Sequence, residues 1–397
     1  MSRRTENERR PLIVWKIRNL KPYSPSVRYR CLFPLLNLRD QGWDSVVLIK
    51  GERIADWSKV AALVFVKVYG DEDVELAREA AAAGVPVVFD LCDNIFAQDV
   101  SGEDRDVNRL NFLAIAHVCR FVTVPSPALR DSVAPHLSDD VQVRIIPDQV
   151  EDQRQTETAL DISSWRGNPR GLRRAPLSLR LQRFRSEAKN LWRPVSQGPD
   201  DPGPAAPRAE GRFRVIWFGT HGTFGHSGLN VLADICPALE RVHAQLPIEL
   251  LVVSNNEEKF SELIEPFQLP TLYHPWHPIR IFEDIRSADV FVMPNSQEAF
   301  SVTKSANRAL LSLSLGVPVV ATLIPALEPL TDALYVGDWH DALLACLTDA
   351  DERARRAAAG RAIVEAEFSG RALARRWDAV FRESDSGALK SLKVLKR

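Results

Sequence analysis

Six short apolar runs between Leu12 and Ile146, each followed by a segment of helical period, constrain the fold more than any other feature. They are LIVWKI, SVVLIK, ALVFVKV, VPVVFDL, RFVTV and VQVRII. Their apolar residues are near-continuous rather than alternating, so both faces of each strand are buried, as in a parallel sheet covered by helices on both sides. The same grammar restarts at Phe213 with FRVIWFG, IELLVVS, TLYH, ADVFVMP and VPVVAT. The pattern predicts an α/β chain of two Rossmann-like, doubly wound domains. From about Asp338 to Glu383 the chain reads as helices. The last, FSGRALARRWDAVF, collects Leu373, Trp377, Val380 and Phe381 on one side and is expected to pack back across the domain junction.

A chain of 397 residues suits two domains and a linker. The expected division is residues 1–150, a break at 151–211, a second domain at 212–370, and a crossing helix with a basic tail at 371–397. Within the break, 166–193 mixes many arginines with Leu, Phe and Trp, and the following PVSQGPDDPGPAAPRAEG is a Pro/Gly-rich linker. A formal net charge of −1 gives no global field for nucleic acid, and no nucleic-acid motif accompanies the arginines. Five scattered cysteines form no CxxC pair, which fits a reducing compartment better than a disulfide or zinc framework. MSRRTENERRP lacks the apolar centre of a signal peptide, and no apolar run reaches the roughly 18 residues of a membrane span. The expected location is the cytoplasm.

The most informative stretch is ADVFVMPNSQEAFSVTKSANRALLSLSLGVPVVAT, residues 288–322, read as strand, loop, helix, turn and strand. Lys304 and Arg308 are four apart near the start of the expected helix and share its face. Two cations at a helix N-terminus, beyond the carboxyl end of a parallel strand, suit an anion such as a diphosphate. The alternative is a pair of solvated cations on an amphipathic helix. A second motif, FGTHGTFGHSGLNVL, puts Gly219, Gly222, Gly225 and Gly228 at a strand-to-helix turn whose amides could cradle phosphate. In the first domain, NLKPYSPSVRYRCLFP sets Arg28 and Arg30 beside a helix start, and FDLCDNIFAQD sets Asp90, Asp93 and Asn94 beyond a strand. Arg28 and Arg30 could equally be surface cations capping that helix, and Asp90 a cap of the strand end. No HExxH, no DxD triplet in a suitable loop and no histidine cluster points to a metal.

The 288–322 stretch resembles the nucleotide-sugar-dependent glycosyltransferases of the GT-B class, especially retaining family 4. Pro294, Asn295 and Glu298 match the front of that family's pattern, and Gly316, Pro318, Val319 and Val320 match its back. Between them this chain carries about five extra residues, and Ala306 or Leu311 stands where the family's second glutamate is expected. The resemblance implies two domains facing across a cleft and sugar transfer from a nucleoside diphosphate to a glycan or lipid-linked acceptor, as in cell-surface polysaccharide synthesis. It implies a donor site of Lys304, Ser305, Asn307, Arg308, Asn295, Gly219 and Gly222, with Glu298, His221 and Asp93 as catalytic candidates. Arg28, Arg30, Asp90 and Asn94 fall on the acceptor side. No metal or cofactor is expected, the nucleotide sugar being a substrate. Residues 166–193 and 388–397 could hold the protein to the inner face of the plasma membrane through anionic lipid; an interdomain insertion or a disordered arm is the alternative. A non-catalytic sugar-nucleotide-binding protein and a sugar-nucleotide epimerase are the rival functions.

Overall fold

The computed structural model describes residues 10–98, 105–161, 172–173, 207–222 and 226–394, with only the backbone described at 172–173 and beyond residue 384. Most of the basic segment 166–193 and of the Pro/Gly-rich stretch lies outside the described residues, as do Gly225 and the last three residues of the tail.

The first sheet takes β1 (Leu12–Lys16), β2 (Asp44–Leu48), β4 (Val60–Val66), β5 (Val87–Asp90), β6 (Phe121–Val124) and β7 (Gln142–Ile145) in the order β2-β1-β4-β5-β6-β7. The second takes β9 (Phe213–Phe218), β10 (Ile248–Ser254), β11 (Thr271–Pro275), β12 (Val290–Met293), β13 (Val319–Ala321) and β14 (Leu334–Tyr335) in the order β11-β10-β9-β12-β13-β14. Every neighbouring pair is parallel. Each sheet is thus a doubly wound Rossmann-like sheet whose strand order reverses once, between β1 and β4 and between β9 and β12. Ligands bind at such reversals, outside the carboxyl ends of the strands. The continuous apolar patterning has the expected cause: β5, β6, β10 and β12 are buried at every position. A small antiparallel pair, β3 (Arg53–Ile54) with β8 (Leu172–Arg173), ties part of the basic segment to the first domain.

The chain crosses between the domains twice. The Val150 amide donates to the Phe368 carbonyl at 2.8 Å, bringing the outgoing and returning passes together. The terminal helix, Gly370–Val394, then lies on the first domain. Its Trp377, 1% exposed, meets Trp15 edge to face with ring centroids 5.2 Å apart. Trp43 Nε1 donates to Asp378 at 2.7 Å. One apolar cluster runs from Ile13 and Trp15 through Trp377 to Ile216 and Phe291 of the second domain. Among the described residues no helix is long and apolar enough to cross a membrane.

The loop after β12 departs from expectation. A helix through Lys304 is predicted, but the helix begins at Asn307 and Lys304 stands in the turns before it. Ser301 and Val302 amides fold back on the Glu298 carbonyl, and the Lys304 amide on that of Ser301. Ser, Val and Thr at 301–303 are poor helix formers. The segment is also docked on the first domain, where Asn94 Nδ2 donates to the Ala299 carbonyl at 3.4 Å and Ser126 Oγ to that of Thr303 at 2.7 Å. Lys304 and Arg308 therefore do not share a helix face; Lys304 is carried toward the first domain and Arg308 stays with the second.

Candidate active site

On the second domain's side the site is built around the end of β9. Arg308, in the first turn of helix Asn307–Ser314, sends Nη1 to the Phe218 carbonyl at 3.2 Å. A Cβ on Gly219 would stand 3.2 Å from that guanidinium and 3.1 Å from the Trp217 ring, so glycine leaves room for Arg308 to lie along the strand end. Burial lowers the guanidinium to about 10. No carboxylate pairs with it among the described residues, so the charge is carried into a partly buried position without compensation. A site of that kind is stabilised by an incoming anion.

The glycine turn works differently from a simple phosphate cradle. Gly222 and Gly228 both have left-handed backbones, with φ of 87° and 65°. A Cβ on Gly228 would lie 2.3 Å from the Gly222 nitrogen. The close approach these glycines permit is thus between the two ends of their own loop, closed by the Leu229 amide on the His221 carbonyl at 3.2 Å. His221 is half-buried, and Asn255 Oδ1 accepts from its backbone amide at 2.9 Å. Glu298 accepts from the His226 amide at 2.9 Å, joining the loop after β12 to the glycine turn. Asn295 donates to the Met293 and Thr322 carbonyls, which fixes the ends of β12 and β13. Ser305 and Asn307, both partly exposed, make no side-chain hydrogen bond among the described residues.

The first domain's contributions divide into an interior brace and an open face. Arg28 and Arg30, expected beside the cleft surface, are instead 1% and 2% exposed, and Asp90 is 0% exposed. The wide helical turn Arg28–Leu32 buries all five of its residues and turns both guanidinium groups inward. Arg30 forks onto Asp90 at 2.8 and 2.6 Å and reaches Asp148 at 3.0 Å. Arg28 bonds Glu151 at 2.8 Å and the Pro22 and Tyr23 carbonyls at 2.9 Å, and lies 5.6 Å from the Trp276 ring of the second domain. These side chains are engaged with one another and hold the first loop, the interdomain strand end and the two domains in register. Asn94 is likewise buried, at 3% exposed.

Asp93 faces the opening. Lys304 Nζ donates to one of its oxygens at 2.6 Å, and Lys67 pairs with the other. Desolvation alone would raise the carboxyl, but Lys304 and Lys67 outweigh it and hold Asp93 well below the ordinary carboxylate range. A carboxylate held so acidic is a counter-ion in this state rather than a proton acceptor near neutral pH. Lys67 belongs to no motif in the sequence. Its signal was positional: it is the first residue after β4, at the reversal of strand order. For a metal, the described residues offer Asp338, His340 and Asp341 as a three-ligand group. It is an exposed helix start where Asp338 caps the His340 and Asp341 amides.

Residues 212–359 match the family model described as Glycosyl transferases group 1. No curated protein matches the sequence. Among solved structures, HepE of Anabaena, determined with UDP and glucose, is 12% identical with a TM-score of 0.57, covering 93% of this chain and 99% of that one. Sucrose-phosphate synthase of Thermosynechococcus elongatus is 14% identical at 0.56, covering 95% and 100%. The α,α-trehalose 6-phosphate synthase of Burkholderia multivorans is 12% identical at 0.55, covering 96% and 99%. At these identities the likeness is one of fold. The chain has the two-domain GT-B fold, and its second domain matches the glycosyltransferase group 1 model.

Proposed function

We infer that the protein transfers a sugar from a nucleoside-diphosphate sugar to an acceptor seated between the domains. The observation that carries this reading is Arg308: a guanidinium brought into a partly buried place beside Gly219 with no anionic partner among the described residues, in the domain that matches the group 1 family model. A donor diphosphate supplies the missing charge. HepE, of similar fold, was solved with UDP and glucose, which supports a uridine nucleotide as the first donor to try.

In the proposed reaction the bond between sugar and diphosphate breaks, the diphosphate leaves with the electron pair, and an acceptor hydroxyl oxygen bonds the anomeric carbon as its proton passes to the departing phosphate oxygen. Arg308 stabilises the charge that builds on the leaving oxygen, with Lys304 as the second cation, acting in a site already shaped to receive it. Ser305 and Asn307 orient the phosphates beside the Gly219–Gly222 turn, while Asn295 keeps the two strand ends in place. Glu298 and His221 stand beside the same turn, as groups able to bond the sugar's hydroxyls. The protein's own cations do this without a metal in the proposed scheme. Retention of the anomeric configuration, a glycan or lipid-linked acceptor, and attachment at an anionic membrane surface belong to the same proposal; the family resemblance and the composition of residues 166–193 support them.

The test is a screen of nucleotide sugars by thermal shift, followed by release of nucleoside diphosphate with and without acceptor. Stabilisation by one donor class and turnover that disappears in Arg308→Ala are expected. A protein that none of the donors stabilises refutes the reading, and tight binding without turnover of any donor makes it a sugar-nucleotide-binding protein instead.

A further inference from the structure

Among the described residues Lys67 alone, glycines aside, has a left-handed backbone, with φ of 49°. A non-glycine residue held there is strained and persists where the surroundings dictate it. Here the Lys67 amide makes the last rung of the β4–β5 ladder, to the Asp90 carbonyl at 3.2 Å, and the left-handed residue turns the chain just beyond it. That turn aims the side chain at Asp93, whose other oxygen is held by Lys304 from the opposite domain. Burial alone would lower the Lys67 ammonium, but Cys92 and Asp93 together hold it above the usual lysine range.

The trio is unbalanced. Two ammonium groups share one carboxylate, leaving one positive charge, and Arg308 adds a second from four residues along the chain. The cations are also the open members: the Lys67 and Lys304 side chains are 43% and 40% exposed, whereas Asp93 is 19% exposed. A carboxylate bracketed by two half-open ammoniums occupies a place that another oxyanion of similar size can share or take. Lys304 is held to this position by the docking of Ala299 and Thr303 on the first domain.

We propose that Lys67 is a substrate-binding residue contributed by the first domain, forming with Lys304 a two-cation seat for a phosphate group in which Asp93 is the resting counter-ion. The proposal rests on the reading of Arg308 and Lys304 as a diphosphate site and extends it across the cleft. The phosphate is either part of the donor's diphosphate or a second phosphate borne by the acceptor. In both cases the anion competes with Asp93, so the carboxylate and the lysines have effects of opposite sign.

The experiment is calorimetric titration of the full chain and of Lys67→Met, Lys67→Gly, Asp93→Asn and Arg308→Ala with UDP, and then of the UDP-saturated proteins with inorganic phosphate. Lys67→Met is expected to weaken one of the two anions by about tenfold or more, the loss of roughly one charge-assisted contact. A weakened UDP assigns the seat to the donor, and a weakened second phosphate to the acceptor. Asp93→Asn is expected to tighten the same anion severalfold. Lys67→Gly, which suits the left-handed backbone, is expected to bind as poorly as Lys67→Met yet melt at a higher temperature, separating the ammonium from the fold. Lys67→Met with unchanged affinity for both anions overturns the proposal, as does Asp93→Asn with affinity unchanged or weaker; either result makes the trio an interdomain clamp only. UDP binding that Arg308→Ala abolishes while the Lys67 and Asp93 variants bind like the unaltered chain refutes the seat and leaves the Arg308 reading standing. An unaltered chain that binds neither UDP nor phosphate refutes both.

Discussion

Arg308→Met separates a binding site from a structural brace by the sign of its effect on the ligand-free protein. Burial brings the guanidinium from an ordinary 12.5 to about 10. At about 1.4 kcal/mol per unit, the folded protein holds this charge at a cost of about 3 kcal/mol. Against that stands one hydrogen bond, from Nη1 to the Phe218 carbonyl at 3.2 Å. A bond from a charged donor is worth about 1.5–3 kcal/mol. Methionine keeps much of the apolar stem and removes both quantities. The net change therefore lies between about zero and 1.5 kcal/mol in favour of the variant, or up to about 6 °C in melting temperature at about 2–4 °C per kcal/mol. Ligand reverses the ranking. UDP at about 100 times its dissociation constant adds about 2.7 kcal/mol to the unaltered protein and nothing to Arg308→Met. Scanning calorimetry with and without UDP reads both. A ligand-free variant that melts well below the unaltered protein refutes the reasoning, because it makes Arg308 a brace for the β9 end.

Gly228→Ala forces a Cβ to within 2.3 Å of the Gly222 nitrogen at a left-handed position. We expect loss of UDP binding by at least about tenfold and a destabilisation of about 1–3 kcal/mol, read by titration and by melting; normal binding would show that the loop's closure is irrelevant to the donor. Trp377→Ala empties a fully buried position against Trp15 and Phe381. A loss of about 3–5 kcal/mol in denaturant unfolding is expected, felt by probes in the first domain although the residue belongs to the last helix. The Asp93 bridge has a defined pH dependence. Its folded value lies below the roughly 3.9 of the unfolded chain. Its stabilisation is thus complete above that point and is lost as pH falls further, through the folded value. The melting difference between the unaltered chain and Asp93→Asn should be constant from about pH 7 to 5 and shrink below about 4; a difference that begins to shrink near pH 6 would contradict the bridge.

The strands were the most legible part of the fold. Runs such as IELLVVS are buried at every position, so their hydrophobicity has no other explanation, and all six strands of the first sheet and five of the second are readable. Leu334–Tyr335 is not, because two residues carry no period and the strand exists only by pairing with β13. The site was legible as a neighbourhood but not as an arrangement. Arg308 and Gly219 meet, though nothing in their spacing announces the contact. Arg28 and Arg30 look like surface cations in sequence, since their partners Glu151, Asp90 and Asp148 lie far along the chain. Lys67 carries no motif at all: its importance comes from a backbone angle and from a partner shared with another domain.

The terminal helix also dictates when the first domain can finish folding. Its Asp378 meets Trp43 across 335 residues of chain. At roughly 5–20 residues per second of synthesis, that interval lasts on the order of twenty seconds to a minute. Throughout it Trp15, and the apolar face that Trp377 and Phe381 will cover, lack their partners. The first half of the protein therefore leaves the ribosome with its core open, and a truncated product ending before Gly370 should be a client of chaperones rather than a stable domain.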